Sequence, residues 1–408
     1  MVSSMQAVLS PWVAQLKSKA NLPVLLRWGD GPGLQLGDFS QPKVEILVRK
    51  AAAIPLLLSP SLETLGQAYV EGLLDVKGRV EDLVDVAYRL AQAGVDSGGR
   101  GLARVVQRLR YGQHSKKSDS DAIQYHYDVS NEFYRCWLGP SMVYSCAYFE
   151  NGDESLSQAQ EKKIDHILTK VQLQPGQRLL DIGCGWGALV MRAASRFGAH
   201  CVGVTLSQKQ FEWASEQVRQ ADLQDRVEIR LQDYRDVQGE FDRITSVGMF
   251  EHVGLKNLQA YFARIRSLLK DDGWALNHGI TSTDAHDGES PYGGGRFIDR
   301  YVFPQGELPH ISTVLRTMQL GGLEATDVEN LRRHYAHTMA CWSQGFEDKA
   351  DTLKTLVDEK RWRIWRIYLA GCHLAFESDD IGLFQVLCRK SGRPASAYPW
   401  SRRWMYSH

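Results

Sequence analysis

The sequence lacks any apolar run of about 18 residues, the length that a membrane-spanning helix needs. Its N-terminus has no basic start, and Pro11 interrupts a short apolar patch, so it does not resemble a signal peptide. The seven cysteines are scattered, odd in number and without a Cys-x-x-Cys pair, which is typical of reduced thiols. These absences predict a soluble, cytoplasmic protein.

An excess of charge of either sign is also missing, because 48 Lys and Arg residues balance 48 Asp and Glu residues. Attraction of the whole molecule to nucleic acid is therefore not expected, and any contact with an anionic surface must come from local clusters. No low-complexity tract is present. At 408 residues, the chain is long enough for two or three domains.

Residues 1–95 are predicted to form a small α+β domain. Short apolar runs predict strands over Val24–Trp28 and Val44–Val48, and the patterns over residues 62–69 and 80–93 predict helices. No set of catalytic side chains occurs in this region. Lipid binding, membrane docking, dimerisation and plain structural support all remain open for it, and we expect a homodimer.

Residues 96–121 are predicted to be a basic linker. Arg100, Arg104 and Arg108 recur every four residues of a predicted helix, with apolar residues between them. A solvated linker helix is the favoured interpretation. The alternative is a patch for phospholipid headgroups, because an arginine near an anionic surface contributes about 1 kcal/mol.

Residues 122–408 are predicted to form one catalytic domain in which strands alternate with helices, and this alternation predicts a parallel sheet with helices on both faces. The predicted strands are a run ending at Asp181, then His200–Val204, Val227–Leu231, Phe241–Val247 and Trp274–His278, with Leu323–Val328 and Phe384–Cys388 as a closing antiparallel pair. Residues 281–320 are too long for a plain connection and are expected to form a lid or pocket wall hinged at residues 293–295, with an ordinary loop as the alternative.

The most informative stretch is the turn in Leu179-Leu-Asp-Ile-Gly-Cys-Gly-Trp-Gly187, where a strand ends and a helix is predicted to begin at Ala188. Without Cβ atoms, the glycines let backbone N–H groups approach a ligand at the edge of the sheet. The pattern Asp-x-Gly-x-Gly-x-Gly favours S-adenosylmethionine. The second strand ends without the carboxylate that a dinucleotide site would require, so a nicotinamide cofactor is disfavoured.

Two candidate catalytic side chains follow the fourth and fifth predicted strands. Glu251 and His278 should both lie at the carboxyl edge of the sheet, beside the glycine turn, where open α/β sheets bind their ligands. Either residue alone would be interpreted as a hydrogen-bonded side chain without a role in catalysis. Their occurrence together favours a functional role. A zinc site is the other alternative, but no ligand set with metal spacing accompanies the pair.

Seven motifs follow one another between about Ala122 and Cys388. They are His126-Tyr-Asp-Val-Ser-Asn, Tyr144-Ser-Cys-Ala-Tyr-Phe, Leu180-Asp-Ile-Gly-Cys-Gly-Trp-Gly, Val204-Thr-Leu-Ser, Gln232-Asp-Tyr-Arg, Val247-Gly-Met-Phe-Glu-His-Val-Gly and His334-Tyr-Ala. Their order and spacing resemble the cyclopropane-fatty-acyl-phospholipid synthases and the related mycolic acid cyclopropane synthases. The N-terminal unit is similar to the extra domain of the bacterial phospholipid enzymes, which the mycolic acid enzymes lack.

This resemblance implies a class I S-adenosylmethionine-dependent methyltransferase with a Rossmann-like, doubly wound sheet and a smaller N-terminal α+β domain. The implied reaction transfers a methyl group to the cis double bond of an unsaturated phospholipid acyl chain and closes a cyclopropane ring, with a bound bicarbonate as the base. The implied partner is a membrane phospholipid, not nucleic acid. The implied location is the inner face of the membrane, as a peripheral protein.

The resemblance also implies roles for individual residues. Glu251, His278 and Tyr335 look like side-chain ligands of the bicarbonate, and the backbones of Cys146 and Ile280 complete its cage. Cys372 matches a family cysteine sometimes regarded as essential, although its place on an apolar helical stripe favours packing. The implied cofactor-binding residues are Tyr144, Ser145, Asp181, Gly183, Gly185, Thr205, Leu206, Gln210, Asp233, Tyr234 and Arg235.

Two rival functions remain open. A lipid methyltransferase of the same fold that leaves a methyl branch would use the same cation but lose a different proton. A lipid-binding protein whose active site has decayed would keep the fold without the chemistry. The presence of Glu251, His278 and Tyr335 together argues against the second rival.

Overall fold

The computed structural model describes residues 2–28, 33–95, 129–285, 294–303 and 306–406. The chain divides into two compact units. The first comprises Met1–Tyr111, Gly288–Pro304 and Ala350–Leu374, and the second comprises Gly112–Asp287, Gln305–Lys349 and Ala375–His408. Arg100, Arg104 and Arg108, the His126 motif up to Asp128 and the hinge residue Gly293 lie outside the described residues.

The described elements are numbered here in chain order. The strands are β1 (Val24–Trp28), β2 (Leu34–Gln35), β3 (Val44–Val48), β4 (Leu74–Lys77), β5 (Arg178–Ile182), β6 (His200–Thr205), β7 (Val227–Leu231), β8 (Phe241–Val247), β9 (Leu269–Ser282), β10 (Leu323–Asn330) and β11 (Ile381–Lys390). The helices are α1 (Val2–Lys19), α2 (Ala53–Leu58), α3 (Leu62–Val70), α4 (Val80–Val95), α5 (Asn131–Leu138), α6 (Leu156–Lys170), α7 (Ala188–Phe197), α8 (Gln208–Gln220), α9 (Leu258–Leu268), α10 (Gly294–Tyr301), α11 (Ile311–Leu320), α12 (Arg332–Asp348), α13 (Ala350–Leu356) and α14 (Glu359–Glu377).

The first unit is built on a four-stranded sheet in the order β2-β1-β3-β4. Strands β1 and β3 run parallel, while β2 and β4 pair antiparallel with them at the two edges. Along both β1 and β3, fully buried side chains alternate with partly exposed ones, because successive side chains of a strand point to opposite faces. Both central strands lie at the predicted residues.

Two segments from later in the sequence complete the first unit. The ring of Phe297 in α10 packs over Gly66 in α3, where an added Cβ would lie 2.8 Å from a ring carbon. The Arg363 guanidinium of α14 donates to the carbonyl oxygen of Tyr69 at 3.0 Å. Both segments lie within residues 122–408, so the compact units do not follow a single boundary along the chain.

The second unit contains a seven-stranded sheet in the order β10-β11-β9-β8-β5-β6-β7. The five strands from β9 to β7 in this order are parallel. Strand β11 lies antiparallel between β9 and β10. The predicted α/β sheet with its closing antiparallel pair is thereby confirmed.

Neighbouring residues of the central strands point into two separate apolar cores, one on each face of the sheet. Leu180 and Val202 belong to a core that includes α9 and α11, whereas Leu179 and Cys201 belong to a core that includes α6 and α7. Helices on both faces explain why these strands read as continuous apolar runs.

The region expected to form a lid divides between the units. Helix α10 belongs to the first unit, and α11 places Val314 and Met318 in a core of the second. Within the residues that the structure covers, no helix is long and apolar enough to cross a membrane.

Candidate functional site

The glycine turn lies where it was predicted, between β5 and α7. Gly183, Gly185 and Gly187 have φ values of 77°, 54° and 87°, a left-handed region that glycine adopts without strain. The N–H groups of Gly183 and Cys184 donate to the carbonyl oxygen of Val204 at 2.9 and 3.0 Å, which fixes the turn against the end of β6.

A cavity opens beside this turn, at the carboxyl ends of the parallel strands. All eleven residues predicted to bind the cofactor line it: Tyr144, Ser145, Asp181, Gly183, Gly185, Thr205, Leu206, Gln210, Asp233, Tyr234 and Arg235. The spacing of the motifs along the sequence therefore corresponds to one continuous surface in the folded chain.

A buried cation at one end of the cavity was not predicted from the sequence. Lys163 of α6 is 3% exposed, lines the cavity and donates to Ser145 Oγ at 2.6 Å. Burial lowers the pKa of Lys163 to about 8. Burial also raises the pKa of Asp181 to about 6, although Thr245 donates to its carboxylate at 2.7 Å. The sequence held one signal for this role of Lys163. It lies four residues from both Ala159 and Ile167, on the buried face of the helix.

The opposite end of the cavity is shaped by the loops after β6 and β7. The side chains of Thr205 and Gln210 lie 2.8 Å apart. Asp233 and Arg235 form an ion pair at 2.6 Å that flanks Tyr234. An aromatic ring and several polar groups therefore line this end of the cavity.

Glu251 lies on a short 3-10 turn directly after β8 and is 7% exposed. Its Oε1 atom accepts a hydrogen bond from the backbone N–H of Ile280 at 2.7 Å. Its Oε2 atom is buried without a hydrogen-bond partner among the described residues. Burial raises the pKa of Glu251 to about 7, so the carboxyl group can hold a proton near neutral pH.

His278 lies on β9 and is 1% exposed. Its Nδ1 atom is 3.2 Å from the amide nitrogen of Gln385 in β11, whereas its Nε2 atom is buried and lacks a partner in the described part of the chain. Burial, with nearby Lys163 and Lys170, lowers the pKa of His278 well below its ordinary value. The imidazole is therefore neutral at physiological pH.

A short chain of backbone contacts brings the other predicted residues to this place. Ile280 pairs with Leu383 across β9 and β11, and the Leu383 carbonyl accepts from the N–H of Leu331 at 2.9 Å. The Leu331 carbonyl accepts in turn from the N–H of Tyr335 at 3.0 Å and from the Cys146 thiol at 3.9 Å. Contacts around the second half of β9 thus connect five of the predicted catalytic residues: Glu251, His278, Ile280, Tyr335 and Cys146.

Aromatic rings connect Tyr335 with the cavity. The ring of Tyr335 packs at 4.6 Å from Phe376 and 6.0 Å from Trp342, measured between centroids. Trp342 lies 5.3 Å from Tyr144, which lines the cavity. Tyr144 therefore lines the cavity, while Trp342 and Tyr335 pack behind it in a buried aromatic cluster.

Two of the six predicted catalytic residues are the cysteines Cys146 and Cys372. Cys372 belongs to the first unit, where its thiol hydrogen-bonds Tyr368 and burial raises its pKa to about 12. Burial also raises the pKa of Cys146 far above the ordinary value. Neither thiol is a thiolate at neutral pH, so neither is an activated nucleophile.

The turn that carries Glu251 is held by a second carboxylate that the sequence analysis missed. Glu307 donates its backbone N–H to the carbonyl of Glu251 at 3.1 Å and accepts from the N–H of Leu255. Its sequence surroundings contain no motif. Within the described ranges, no group of His, Cys, Asp and Glu side chains has the arrangement of a metal site.

Two family models match the sequence. Residues 114–386, well over half of the chain, match the model described as mycolic acid cyclopropane synthetase. Residues 12–97 match a model described as a domain of unknown function.

Curated relatives and a solved structure are similar over long ranges. The chain is 43% identical over 389 residues to a probable fatty acid methyltransferase from Pseudomonas putida, which covers 95% of this chain and 97% of the relative. It is 35% identical over 328 residues to the cyclopropane-fatty-acyl-phospholipid synthase of Escherichia coli K12, with 79% and 82% covered. A mycolic acid cyclopropane synthase crystallised with SAH and CTAB has a TM-score of 0.63 and 36% identity, covering 66% of this chain and 98% of that protein.

Proposed function

This chain belongs to the mycolic acid cyclopropane synthetase family and is an S-adenosylmethionine-dependent methyltransferase, and we propose that it cyclopropanates the cis double bonds of unsaturated phospholipid acyl chains. One observation carries the proposal. Glu251 Oε2 and His278 Nε2 are both buried without a partner among the described residues, on adjacent elements at the carboxyl edge of the methyltransferase sheet. Buried polar atoms without partners are costly and are retained where a ligand completes them.

Binding of the cofactor is assigned to the cavity beside the glycine turn. S-adenosylmethionine supplies a methyl group on a positively charged sulfur. Gly183 and Gly185 line the cavity without side chains, which lets the backbone of the turn approach the amino-acid end of the cofactor closely, and Lys163 provides the positive charge that a carboxylate needs. Tyr144 closes this end as an aromatic wall.

An alkene is a poor nucleophile, so the protein must contribute mainly by positioning and by exclusion of water. The rings of Tyr335, Trp342 and Tyr144 supply an apolar surface for the acyl chain. Their π faces also lower the energy of the carbocation that forms when the alkene accepts a methyl group.

The residues around Glu251 fit a small anion such as bicarbonate. Bicarbonate has both a hydroxyl donor and acceptor oxygens, and the site offers two buried atoms that need partners, Glu251 Oε2 and His278 Nε2. When bound, it would supply the base that removes a proton from the added methyl group. Glu251, His278 and Tyr335 would hold it, together with the backbones of Cys146 and Ile280.

A phospholipid is favoured over a mycolic acid as substrate because of the first unit. The similarity to the Escherichia coli phospholipid enzyme extends over more of the chain than the similarity to the mycolic acid enzyme does. We assign the first unit to lipid docking or dimerisation, and the homodimer remains a prediction that light scattering would test.

We further propose that the protein acts as a peripheral protein at the inner face of the membrane, where its substrate lies. Trp400 is fully exposed, and the neighbouring Arg402 is exposed as well, with its Nε atom paired to Asp327 at 3.1 Å. Tryptophan favours the bilayer interface and arginine favours anionic headgroups, so this segment supports contact with a lipid surface.

Lipid analysis after incubation with methyl-labelled S-adenosylmethionine tests the proposal. Vesicles of a phospholipid with one cis double bond in each acyl chain should yield a cyclopropane ring that contains the labelled carbon. A methyl-branched or alkenyl product would instead identify the rival methyltransferase, for which the Pseudomonas putida relative is the reason to test. Protein that binds S-adenosylmethionine but transfers no label would support the decayed, lipid-binding alternative.

A further inference from the structure

Three polar side chains form a row across the antiparallel edge of the large sheet. In the pairing register, Glu329 of β10 lies opposite Gln385 of β11, and Gln385 lies opposite His278 of β9. Gln385 is completely buried. Residues directly opposite each other on neighbouring strands place their side chains on the same face, so this row is a continuous polar line through an otherwise apolar layer.

Lys170, at the end of α6, reaches this row from the helix layer. It is completely buried, and its Nζ atom donates to Glu329 Oε2 at 2.6 Å and to Gln385 Oε1 at 3.1 Å. Asp327 Oδ2 lies 3.4 Å away, so two carboxylates face the ammonium group. Glu329 also lies 2.9 Å from His166 Nε2. Although burial alone would raise it, the pKa of Glu329 falls to about 2 because His166 and Lys170 stabilise the carboxylate.

The chemistry of an ammonium group determines how the Gln385 amide is oriented. Lysine Nζ is a donor and never an acceptor, so the amide atom facing Lys170 must be the oxygen. The amide nitrogen then faces His278, where it is 3.2 Å from Nδ1. An NH₂ group can only donate, so Nδ1 must be the acceptor.

A neutral imidazole with an accepting Nδ1 carries its proton on Nε2. A protonated imidazole would direct an N–H group from Nδ1 at the NH₂ group of Gln385, and the two donors would repel each other. The row therefore permits one form of His278, the neutral Nε2–H tautomer. That N–H belongs to the same atom that is buried without a partner within the described residues.

We propose that Gln385 and Lys170 are positioning residues that hold His278 as the Nε2–H tautomer and so present a neutral hydrogen-bond donor to the anion beside Glu251. This inference rests on the proposed function for the identity of the anion, but not for the tautomer. A donor at His278 and an acceptor at Glu251 together match an ion that contains both oxygens and a hydroxyl group. A neutral donor also leaves the negative charge of the anion, and hence its basicity, in place.

Nitrogen-15 NMR of protein labelled at histidine reports the tautomer directly, with the His278 signals assigned by their loss in His278→Gln. In the wild type, we expect Nε2 of His278 to be protonated and Nδ1 to be unprotonated. Gln385→Glu keeps the shape but converts the donor into an acceptor, so Nδ1 should become protonated. Lys170→Met removes the group that orients the amide and should give a mixture of tautomers.

Turnover supplies the second measurement. We expect Gln385→Glu to lower kcat by about 10-fold or more while the KM for S-adenosylmethionine changes by less than about 2-fold, as for partners that orient a ligand-binding histidine. Leu387→Ala, two residues along β11 in the apolar core, is the matched control for lost packing. It should lower stability and leave the His278 nitrogen signals unchanged.

A wild-type His278 with its proton on Nδ1, or on both nitrogens, would overturn the inference without any variant. Unchanged nitrogen signals in Gln385→Glu would also overturn it. The expected tautomer in an enzyme that forms no cyclopropane ring would support the positioning role and reject the proposed function. A normal cyclopropane product together with the other tautomer would reject the positioning role alone.

Discussion

The Oε1 atom of Glu251 accepts a hydrogen bond from the backbone N–H of Ile280 at 2.7 Å, two residues beyond His278 on the same strand. This contact ties the turn after β8 to β9, so the carboxylate and the imidazole are positioned by one shared backbone. A side chain that accepts from a strand is less mobile than one on a free loop, which is what a preorganised anion site needs.

Glu251→Gln should abolish most turnover and leave cofactor binding intact. Glutamine preserves the shape and can still accept from Ile280, but it cannot exchange a proton with a bound anion. We expect kcat to fall by about 100-fold or more, in line with the loss of a general acid–base group. Calorimetric titration with S-adenosylmethionine provides the control, and near-normal turnover would remove the anion site from the mechanism.

The same substitution should raise stability in a pH-dependent manner. Burial raises the pKa of Glu251 from 4.5 to about 7 in the folded protein. Between these values, the unfolded chain releases a proton that the folded protein retains, so this group destabilises the fold progressively as the pH rises. Glu251→Gln should therefore match the wild type at about pH 4 and gain up to about 3 kcal/mol above pH 7. Urea denaturation at both pH values measures the gain, and an equal difference at both would contradict it.

Lys163→Met should weaken cofactor binding. It removes a buried cation that lines the cavity and donates to Ser145 at 2.6 Å, while preserving most of the apolar stem. We expect the Kd of S-adenosylmethionine to rise about 10-fold, equivalent to about 1.4 kcal/mol.

Lys162, the neighbour of Lys163 in the sequence, provides the control. Lys162 points to the surface and pairs with Glu150 and Glu154, each at 2.8 Å. Lys162→Met should leave the Kd unchanged because surface ion pairs contribute little. Equal effects of the two substitutions would mean that charge near the cavity, rather than contact within it, determines affinity.

Gly279→Ala should damage the site through packing. An added Cβ would overlap the ring of Phe250, which immediately precedes Glu251. We expect a loss of about 1–3 kcal/mol in the free energy of unfolding and a lower kcat, because the turn that carries the carboxylate must move. Gly371→Ala is the matched control, since among the described residues no atom lies within 4 Å of the added Cβ apart from its chain neighbours and its own helix backbone. A Gly279→Ala enzyme with normal turnover would contradict the close packing of Gly279 against the Phe250 ring.

Cys372→Ala should retain turnover. The thiol lies in the first unit with its pKa raised to about 12 by burial, which disfavours the reactive thiolate. We expect kcat to remain within about 2-fold of the wild type and stability to fall by about 1 kcal/mol through lost packing. A large fall in kcat for both Cys372→Ala and Cys372→Ser would restore this cysteine to the catalytic set.

Membrane contact should have an apolar and an electrostatic component. Trp400→Ala removes the exposed ring and should weaken vesicle binding at all salt concentrations.

Replacing Arg100, Arg104 and Arg108 with glutamine should weaken binding most at low salt, because salt screens charges on the surface. Co-sedimentation with anionic vesicles measures both. Leu231→Ala is the control for an exposed apolar residue in the large sheet, and unchanged binding of the arginine variant would return that segment to a plain linker.

Many helices and strands were predictable from local sequence patterns, but the residues at which they begin and end depend on helix caps and on strand pairing. Strands β7 and β8 occur at the predicted residues because each is a short segment rich in apolar and β-branched residues. Helix α8 begins at Gln208 because the Ser207 side chain caps it by accepting from the N–H of Gln210. Strand β9 is longer than predicted because it pairs with β11 as far as Ser282.

The functional site also contains residues that the sequence predicted and residues that it did not. Most cofactor-lining residues lie at or just after the ends of parallel strands, which all meet at one edge, so a sequence pattern suffices to gather them. Lys163, Gln385 and Glu307 have no such signature. Their positions depend on which helix face is buried and on the register between distant strands, and neither is encoded within a short window.

The insertion of β11 between β9 and β10 also separates the two parts of the site along the chain. Of the described strands, β11 is synthesised after all the others, yet it supplies the central pairing of the edge that holds His278. The parallel strands that form the cofactor cavity are complete on the ribosome long before that. The cofactor cavity and the sheet edge that holds His278 therefore depend on parts of the chain that are synthesised at different times.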